Sequence, residues 1–200
     1  GPMSSARAQG VDAVISGEWL RRFETQAVLK MLTDAGHRAY LVGGCVRNAL
    51  LGAAVSDIDM STDALPETVV RLAEAAGFKP IPTGIEHGTV TVIAGGIPHE
   101  ITTFRRDIAT DGRSAKVAFS SQILDDAQRR DFTMNALYAE ASGAVLDPLF
   151  AEQDELLREA ERMGYEAVVP ASPPAAEPAS APLAADDAGQ MFEIVESLAG

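Results

Sequence analysis

From residue 39 to residue 62 the chain writes a short apolar strand, a glycine pair, one helix and then two aspartates one residue apart. The stretch reads Leu41-Val42-Gly43-Gly44-Cys45-Val46-Arg47-Asn48 and runs on to Ser56-Asp57-Ile58-Asp59-Met60-Ser61-Thr62. Side chains on a strand alternate faces, so a strand through this segment turns Asp57 and Asp59 to one side and Ile58 and Met60 to the other. Two carboxylates a few ångström apart raise each other's pKa and cost stability unless a cation joins them. Mg²⁺ suits such a pair, because it binds hard oxygens through one or two carboxylates and takes the rest of its shell from substrate phosphates and water. Gly43 and Gly44 let the backbone approach a ligand closely, and the helix that follows offers unpaired N–H groups to an anion. Arg47, one turn into that helix, can grip the same anion with two N–H groups. No Gly-Lys-Ser/Thr follows, so this is not a Walker loop. A glycine pair alone is ordinarily a turn, and Asp-x-Asp alone a solvated strand end; the order and spacing of the two carry the signal.

The 200 residues hold one large domain, or a medium one with appendages, and a 46% hydrophobic share is enough for a sizeable core. With no apolar run of membrane-spanning length and no signal peptide, a soluble cytoplasmic protein is expected. Gly1-Pro2 ahead of Met3 has the look of a tag-cleavage scar. The lone cysteine, Cys45, excludes an internal disulfide and a cysteine-based zinc site, and its place after the glycine pair reads as packing rather than nucleophilic chemistry. His37, His87 and His99 lack metal-ligand spacing and read as structural. With 29 acidic against 16 basic residues, a net charge of −13, the chain is not built to coat a phosphate backbone broadly. A nucleic-acid substrate needs a local basic patch, metal ions or help from outside the chain.

Residues 1–15 carry no strong pattern and are expected to be a flexible lead-in. Trp19, Leu20, Phe23, Ala27, Leu29, Met31 and Leu32 recur at helical spacing, which predicts one helix from Glu18 to a C-cap at Gly36, with Trp19 as a core anchor. A second helix is expected from Pro66 to Gly77, then a strand over Phe78–Ile81 and a hairpin turning at Gly95-Gly96. On the returning strand, Glu100 becomes a third carboxylate of a metal site if that strand lies beside the aspartates; an exposed edge glutamate is the equal alternative. Residues 105–118 read as a polar loop. Ile123–Arg130 reads as a helix, with Asp125 and Asp126 early and Arg129-Arg130 late, as the helix dipole prefers. Phe132–Tyr138 follows as a buried segment, and a last hairpin ends at Asp147-Pro148.

Five pieces occur in one order: Leu41–Arg47, Asp57-Ile58-Asp59, Glu86-His87-Gly88-Thr89-Val90, Glu100–Arg105, and Arg129-Arg130-Asp131-Phe132-Thr133-Met134-Asn135-Ala136-Leu137. On these, residues 39–148 closely resemble the catalytic head of bacterial CCA-adding tRNA nucleotidyltransferases and the related poly(A) polymerases, members of the DNA polymerase β-like nucleotidyltransferase superfamily. The resemblance implies an α/β head of the α+β type, with a mixed, mostly antiparallel sheet backed by helices. It implies Mg²⁺ on Asp57 and Asp59, with Glu100 catalytic beside them, and nucleotide contacts from Gly43, Gly44, Arg47, Arg130 and Asn135. The implied reaction is attack of a tRNA or other RNA 3′ hydroxyl on the α-phosphate of CTP or ATP, with loss of pyrophosphate. Asn48 stands where many members have aspartate.

After residue 150 the pattern departs from the family. The head is expected to span 16–150, a short charged helix 151–169, an Ala/Pro-rich linker 170–190, and a short amphipathic element 191–200. Asp154, Glu155 and Arg158 echo part of the family's base-selecting helix, but Glu161 stands at the place of its second arginine. The expectation is therefore a head whose base selection and tRNA grip are absent or come from a protein partner. The rival expectation is a catalytically inactive paralogue, or an interaction module that at most binds nucleotide.

Overall fold

The computed structural model describes residues 13–108, 116–130 and 133–164. Expectations for residues 1–12, the 109–115 tip, Asp131-Phe132, the 170–190 linker and the 191–200 element lie outside the described residues.

In chain order the elements are α1 (Glu18–Arg21), α2 (Phe23–Asp34), β1 (Ala39–Val42), α3 (Gly44–Leu50), β2 (Asp59–Thr62), α4 (Pro66–Ala75), β3 (Lys79–Gly84), β4 (Thr89–Ala94), β5 (Ile97–Thr103), β6 (Arg105–Ile108), β7 (Lys116–Phe119), α5 (Ile123–Gln128), β8 (Tyr138–Ala139), β9 (Val145–Leu146) and α6 (Pro148–Arg162). Short 3₁₀ turns occupy Ile85–His87 and Thr133–Ala136. Seven strands form one sheet in the order β3-β4-β5-β2-β1-β8-β9. Only β2 and β5 run parallel, so the sheet is mixed and mostly antiparallel.

Alternation along the central strands gives the sheet two different faces. Met60, Val90, Val92, Ala94 and Ile101 turn to one side and join Val28, Leu29, Leu32, Val69 and Ala73 of α2 and α4 in the main core. Asp59 and Ser61 on β2 alternate with these residues, as do Glu100 and Thr102 on β5 and Thr89 on β4, and all five line one pocket on the opposite face. Next to that pocket a second, smaller core gathers Val42, Phe104, Ala127, Ala136, Tyr138 and Leu146. Functional polarity and the helical backing are thus written on alternate residues of the same strands.

Two local expectations are corrected. The single helix expected from Glu18 breaks at Arg22, whose φ of −54° and ψ of 133° are extended. The buried stripe of α2 is Thr25, Val28, Leu29 and Leu32; continued backward at helical spacing it would bring Arg21 and Arg22 inward. Breaking the helix buries Leu20 instead and leaves Phe23 80% exposed. Trp19 packs against the core only partly buried. The stretch read as a loop from 105 is in part a two-stranded ribbon: β6 pairs antiparallel with β7, Arg105 opposite Phe119 and Ile108 opposite Lys116. It stands apart from the main sheet. None of the four residues of β6 is buried, so Arg105-Arg106-Asp107-Ile108 shows no alternation of apolar and polar residues, which is why the pattern missed the ribbon. No helix among the described residues is long and apolar enough to cross a membrane.

His99 is structural, as its spacing suggested. It is fully buried, with Nδ1 3.2 Å from the Val92 carbonyl and Nε2 3.0 Å from the Thr25 hydroxyl. A carbonyl only accepts, so Nδ1 carries the proton and Nε2 accepts from Thr25, which is the neutral imidazole. Burial holds the His99 pKa below the ordinary value, against the weaker upward pull of the backbone carbonyls. The unfolded chain then binds the proton more readily, so His99 costs stability as pH falls below about 6.5, the unfolded histidine value. Urea midpoints taken from pH 7.5 to 5 should show a steeper acid loss in the wild type than in His99→Asn. Parallel profiles would remove His99 from the acid limb.

Candidate active site

Asp59 opens β2, and Glu100 is its register partner on the parallel neighbour β5. The pairing extends one residue upstream, where the Glu100 N–H donates to the Ile58 carbonyl at 3.0 Å. Asp57 lies ahead of the strand, outside any regular element, and is exposed. The two aspartates therefore do not share a strand; the adjacent carboxylates in the pocket wall are Asp59 and Glu100. Their pocket, about 260 Å³, is also lined by Gly43, Ser61, Thr89, Thr102, Arg105 and Arg130.

Electrostatics mark Asp59 as the centre of the site. Burial first, then the Glu100 carboxyl beside it and the Asp57 charge, push its pKa up to about 7, against the pull of Arg130. A carboxylate held this far from its ordinary range in a cleft is the expected signature of a group that meets a cation or moves a proton. Ser61 adds a second mark: its hydroxyl oxygen is buried on the pocket wall with no hydrogen-bond partner among the described residues. Such an orphan beside two carboxylates fits a site that takes an oxygen-seeking ligand. Among the described residues no three His, Cys, Asp or Glu side chains converge into a ready cage. The donor set of two acidic side chains and a hydroxyl nevertheless matches the hard, oxygen-only coordination of Mg²⁺, which needs few protein ligands.

Gly43 ends β1 with φ 74° and ψ −134°, a conformation open to glycine, and a Cβ there would meet nothing within 4 Å. Gly43 is also one of the residues that line the pocket. Arg47 folds back over the next residue: a Cβ on Gly44 would stand 3.5 Å from its Nη2. Its Nε donates to Asn48 Oδ1 at 3.3 Å, and Asn48 Nδ2 donates to the Ala54 carbonyl at 3.1 Å. Asn48 thus moors the arginine to the segment leading to Asp57. Asn135 is partly buried in the 3₁₀ turn that packs against α3. Gly43, Asp59, Glu100 and Arg130 meet at the pocket; Gly44, Arg47, Asn135 and Asp57 are not among the residues that line it.

Arg130 is held from behind by a group that sequence reasoning assigned only to the helix dipole. Asp126, 1% exposed, takes Arg130 Nε and Nη2 at 3.1 Å each and the Tyr138 hydroxyl at 2.6 Å on Oδ2. Its Oδ1 takes the Arg105 backbone N–H at 3.2 Å. The guanidinium carbon of Arg130 also lies 5.7 Å over the Tyr138 ring, within cation–π range. Burial works against the Arg130 charge, but the Asp126 carboxylate and Tyr138 together more than offset it and hold the pKa above its ordinary value. The i,i+4 spacing of Asp126 and Arg130 was the available signal. Cys45 is buried, with its thiol donating toward the Val42 carbonyl at 3.3 Å; burial pushes its pKa up to about 11, the opposite of an activated thiol.

Comparison with known proteins agrees with this geometry. Residues 39–156 match the family described as the poly A polymerase head domain. A CCA-adding enzyme of Bacillus cytotoxicus is 41% identical over 140 residues, covering 68% of this chain and 34% of that protein. One from Lactobacillus delbrueckii subsp. bulgaricus is 46% identical over 127 residues, covering 62% and 31%. Among solved structures, the Bacillus stearothermophilus CCA-adding enzyme in complex with CTP aligns with a TM-score of 0.55 at 39% identity, over 70% of this chain and 31% of that one. The chain spans about a third of the length of these relatives. Matched over more than half of its own length, the chain belongs to the poly A polymerase head-domain family.

Proposed function

We propose that this chain carries the catalytic head of a template-independent, cytoplasmic RNA nucleotidyltransferase. It joins CMP or AMP, taken from CTP or ATP, to the 3′ end of a tRNA or another RNA and releases pyrophosphate. The observation that carries the reading is the pairing of Asp59 and Glu100 across parallel strands, at a pocket that also holds Gly43 and Arg130. Similarity to CCA-adding enzymes, one of them solved with CTP, supports it.

In this reading the 3′ hydroxyl oxygen bonds to the α-phosphorus, and the bond from that phosphorus to the oxygen bridging the β-phosphate breaks. Gly43 and Gly44 leave room for the triphosphate tail against the backbone, Arg47 and Arg130 meet its charge, and Asn135 contacts the nucleotide from the turn beside α3. Asp57 and Asp59 would hold Mg²⁺, with Glu100 as the third carboxylate; when bound, the ion neutralises phosphate charge and acidifies the attacking hydroxyl. Asp126 fixes Arg130, so that the guanidinium need not be ordered when the ligand arrives. Base choice is assigned to no described residue; a partner protein or a further part of the molecule supplies it.

Incubation with tRNA lacking its 3′ terminus, labelled CTP or ATP and Mg²⁺ should give Mg²⁺-dependent incorporation that Asp57→Ala abolishes. Equal incorporation by Asp57→Ala would assign the activity to a contaminant. A second reading, a nucleotide-binding module without transfer, draws on one observation: Asp57 stands exposed outside the pocket wall. Calorimetric binding of Mg²⁺-CTP without any incorporation would favour it.

A further inference from the structure

The sheet order sets a direction across the pocket: Gly43 follows β1, Asp59 lies on β2, Glu100 on β5 and Thr89 on β4. In phosphoryl transfer the entering and leaving oxygens stand roughly in line on opposite sides of the phosphorus. If the nucleotide tail lies on the β1 side, the attacking strand arrives over β5 and β4. The residues there are not those of a bare sheet surface. Arg105, leaving the end of β5, lines the pocket with only one side-chain hydrogen bond among the described residues, from Nη1 to the His87 carbonyl at 3.1 Å. Its Nε is buried and finds no partner among the described residues.

Arg105 also belongs to a concentration of positive charge that a chain of net charge −13 has no general reason to build. Arg129 and Arg130 are close enough to repel its charge, and the Asp126 and Asp107 carboxylates offset them in part. Among the described residues Asp126 engages Arg130, and the Asp107 carboxylate is 3.8 Å from Arg129 Nε, beyond hydrogen-bond reach. Directly across the β6–β7 ribbon from Arg105 stands Phe119, 42% exposed. Its ring lies over the turn before β4, where a Cβ on Gly88 (φ 84°) would come within 2.6 Å of it. At the mouth of the turn the Thr89 and Thr102 hydroxyls are 3.0 Å apart. A guanidinium that no carboxylate of the described residues hydrogen-bonds, beside an exposed aromatic ring, is the pairing by which proteins hold single-stranded nucleic acid: charge for the phosphate, a flat face for the base.

We infer that Arg105 and Phe119 form the seat for the 3′-terminal nucleotides of a single RNA strand, Arg105 on a backbone phosphate and Phe119 stacked on a base. The inference rests on the nucleotidyl-transfer reading for its direction, and the test separates the two. The probe is a short 5′-labelled oligoribonucleotide with a free 3′ hydroxyl, followed by fluorescence anisotropy at fixed salt. Arg105→Met and Phe119→Leu should each weaken its binding about tenfold, whereas Arg105→Lys and Phe119→Tyr recover most of it. Arg106→Met, an exposed neighbour that does not line the pocket, removes the same charge and should change binding by less than about twofold, which excludes a merely global charge effect. Calorimetric CTP affinity should be unchanged in Arg105→Met and Phe119→Leu. Loss of CTP binding with intact RNA binding would assign the arginine to the nucleotide and overturn the inference. So would RNA binding that is undetectable in the wild type or indifferent to both substitutions. Arg105- and Phe119-dependent RNA binding in a chain that never binds CTP would keep the seat and remove the nucleotide reading instead.

Discussion

Asp59→Asn is expected to reduce nucleotide incorporation by about a thousandfold or more, while the protein becomes no less stable and, above neutral pH, more stable. The two halves of the result have one cause. Asp59 is the carboxylate that β2 delivers into the pocket, with Glu100 in register beside it and Asp57 near enough to add its charge. In the absence of a cation, burial first and then this crowding raise the folded-state pKa to about 7 from 3.8. A group whose pKa is raised by folding contributes stability below its unfolded pKa and loses it as pH rises toward the folded value. The ion-free wild type should therefore lose stability between about pH 4 and pH 7 through this residue, by about 1–2 kcal/mol once solvent screening at a half-open site is allowed for. Asparagine has no charge to desolvate and flattens that slope. Urea unfolding at pH 5 and pH 8, with and without Mg²⁺, measures it: Mg²⁺ should recover stability at pH 8 in the wild type and not in Asp59→Asn. Incorporation that survives the substitution, or an equal Mg²⁺ response in both proteins, would dismiss Asp59 as the centre of the site.

The parts of this molecule that were legible beforehand are those where one local pattern serves one purpose. Val90, Val92 and Ala94 alternate with Thr89 and Thr91, so β4 and the hairpin to β5 follow from period two alone. Gly43-Gly44 before a helix is just as local, but for Asp59 and Glu100 the alternation says only which face each side chain takes; that β5 lies beside β2, and that Asp57 falls outside the strand, is set by the sheet order and not by any local pattern. What stayed hidden depended on partners that sequence does not pair. The break at Arg22 is a tertiary choice, since it sacrifices helix continuity and exposes Phe23 to bury Leu20. The β6 strand buries none of its four residues and so carries no period. Asp126 is a different case. As an acidic residue in the first turn of α5 it satisfies the dipole rule without further explanation. Only the chain's return through Tyr138, and the arrival of Arg105, reveal that it is buried and engaged on both oxygens.

That hidden carboxylate should be the most costly side chain to remove. Asp126→Ala is expected to destabilise the protein by about 3–5 kcal/mol, the range seen when one member of a buried ion pair is deleted. Alanine leaves three donors without an acceptor: the guanidinium of Arg130, whose side chain is 19% exposed, the buried Tyr138 hydroxyl and the Arg105 N–H. Tyr138 cannot compensate by ionising, because burial and then the neighbouring charge of Asp126 hold its phenol above the ordinary range, and losing Asp126 does not remove the burial. Removing Arg130 as well takes away the stranded charge, so Asp126→Ala/Arg130→Met should cost less than the sum of the two single variants, by about 1–3 kcal/mol. Additive losses would mean that the two residues stabilise the fold separately, against the 3.1 Å contacts between them. Asp126→Asn keeps the shape and one acceptor but not the charge, and should fold well enough to assay. Its signature is then functional. Arg130, no longer anchored by a carboxylate, must be ordered by the ligand, so CTP affinity falls while Arg47, moored separately through Asn48, keeps its place. A variant that binds CTP as the wild type does would show that Asp126 serves the second core alone, and that Arg130 finds its position in the pocket without it.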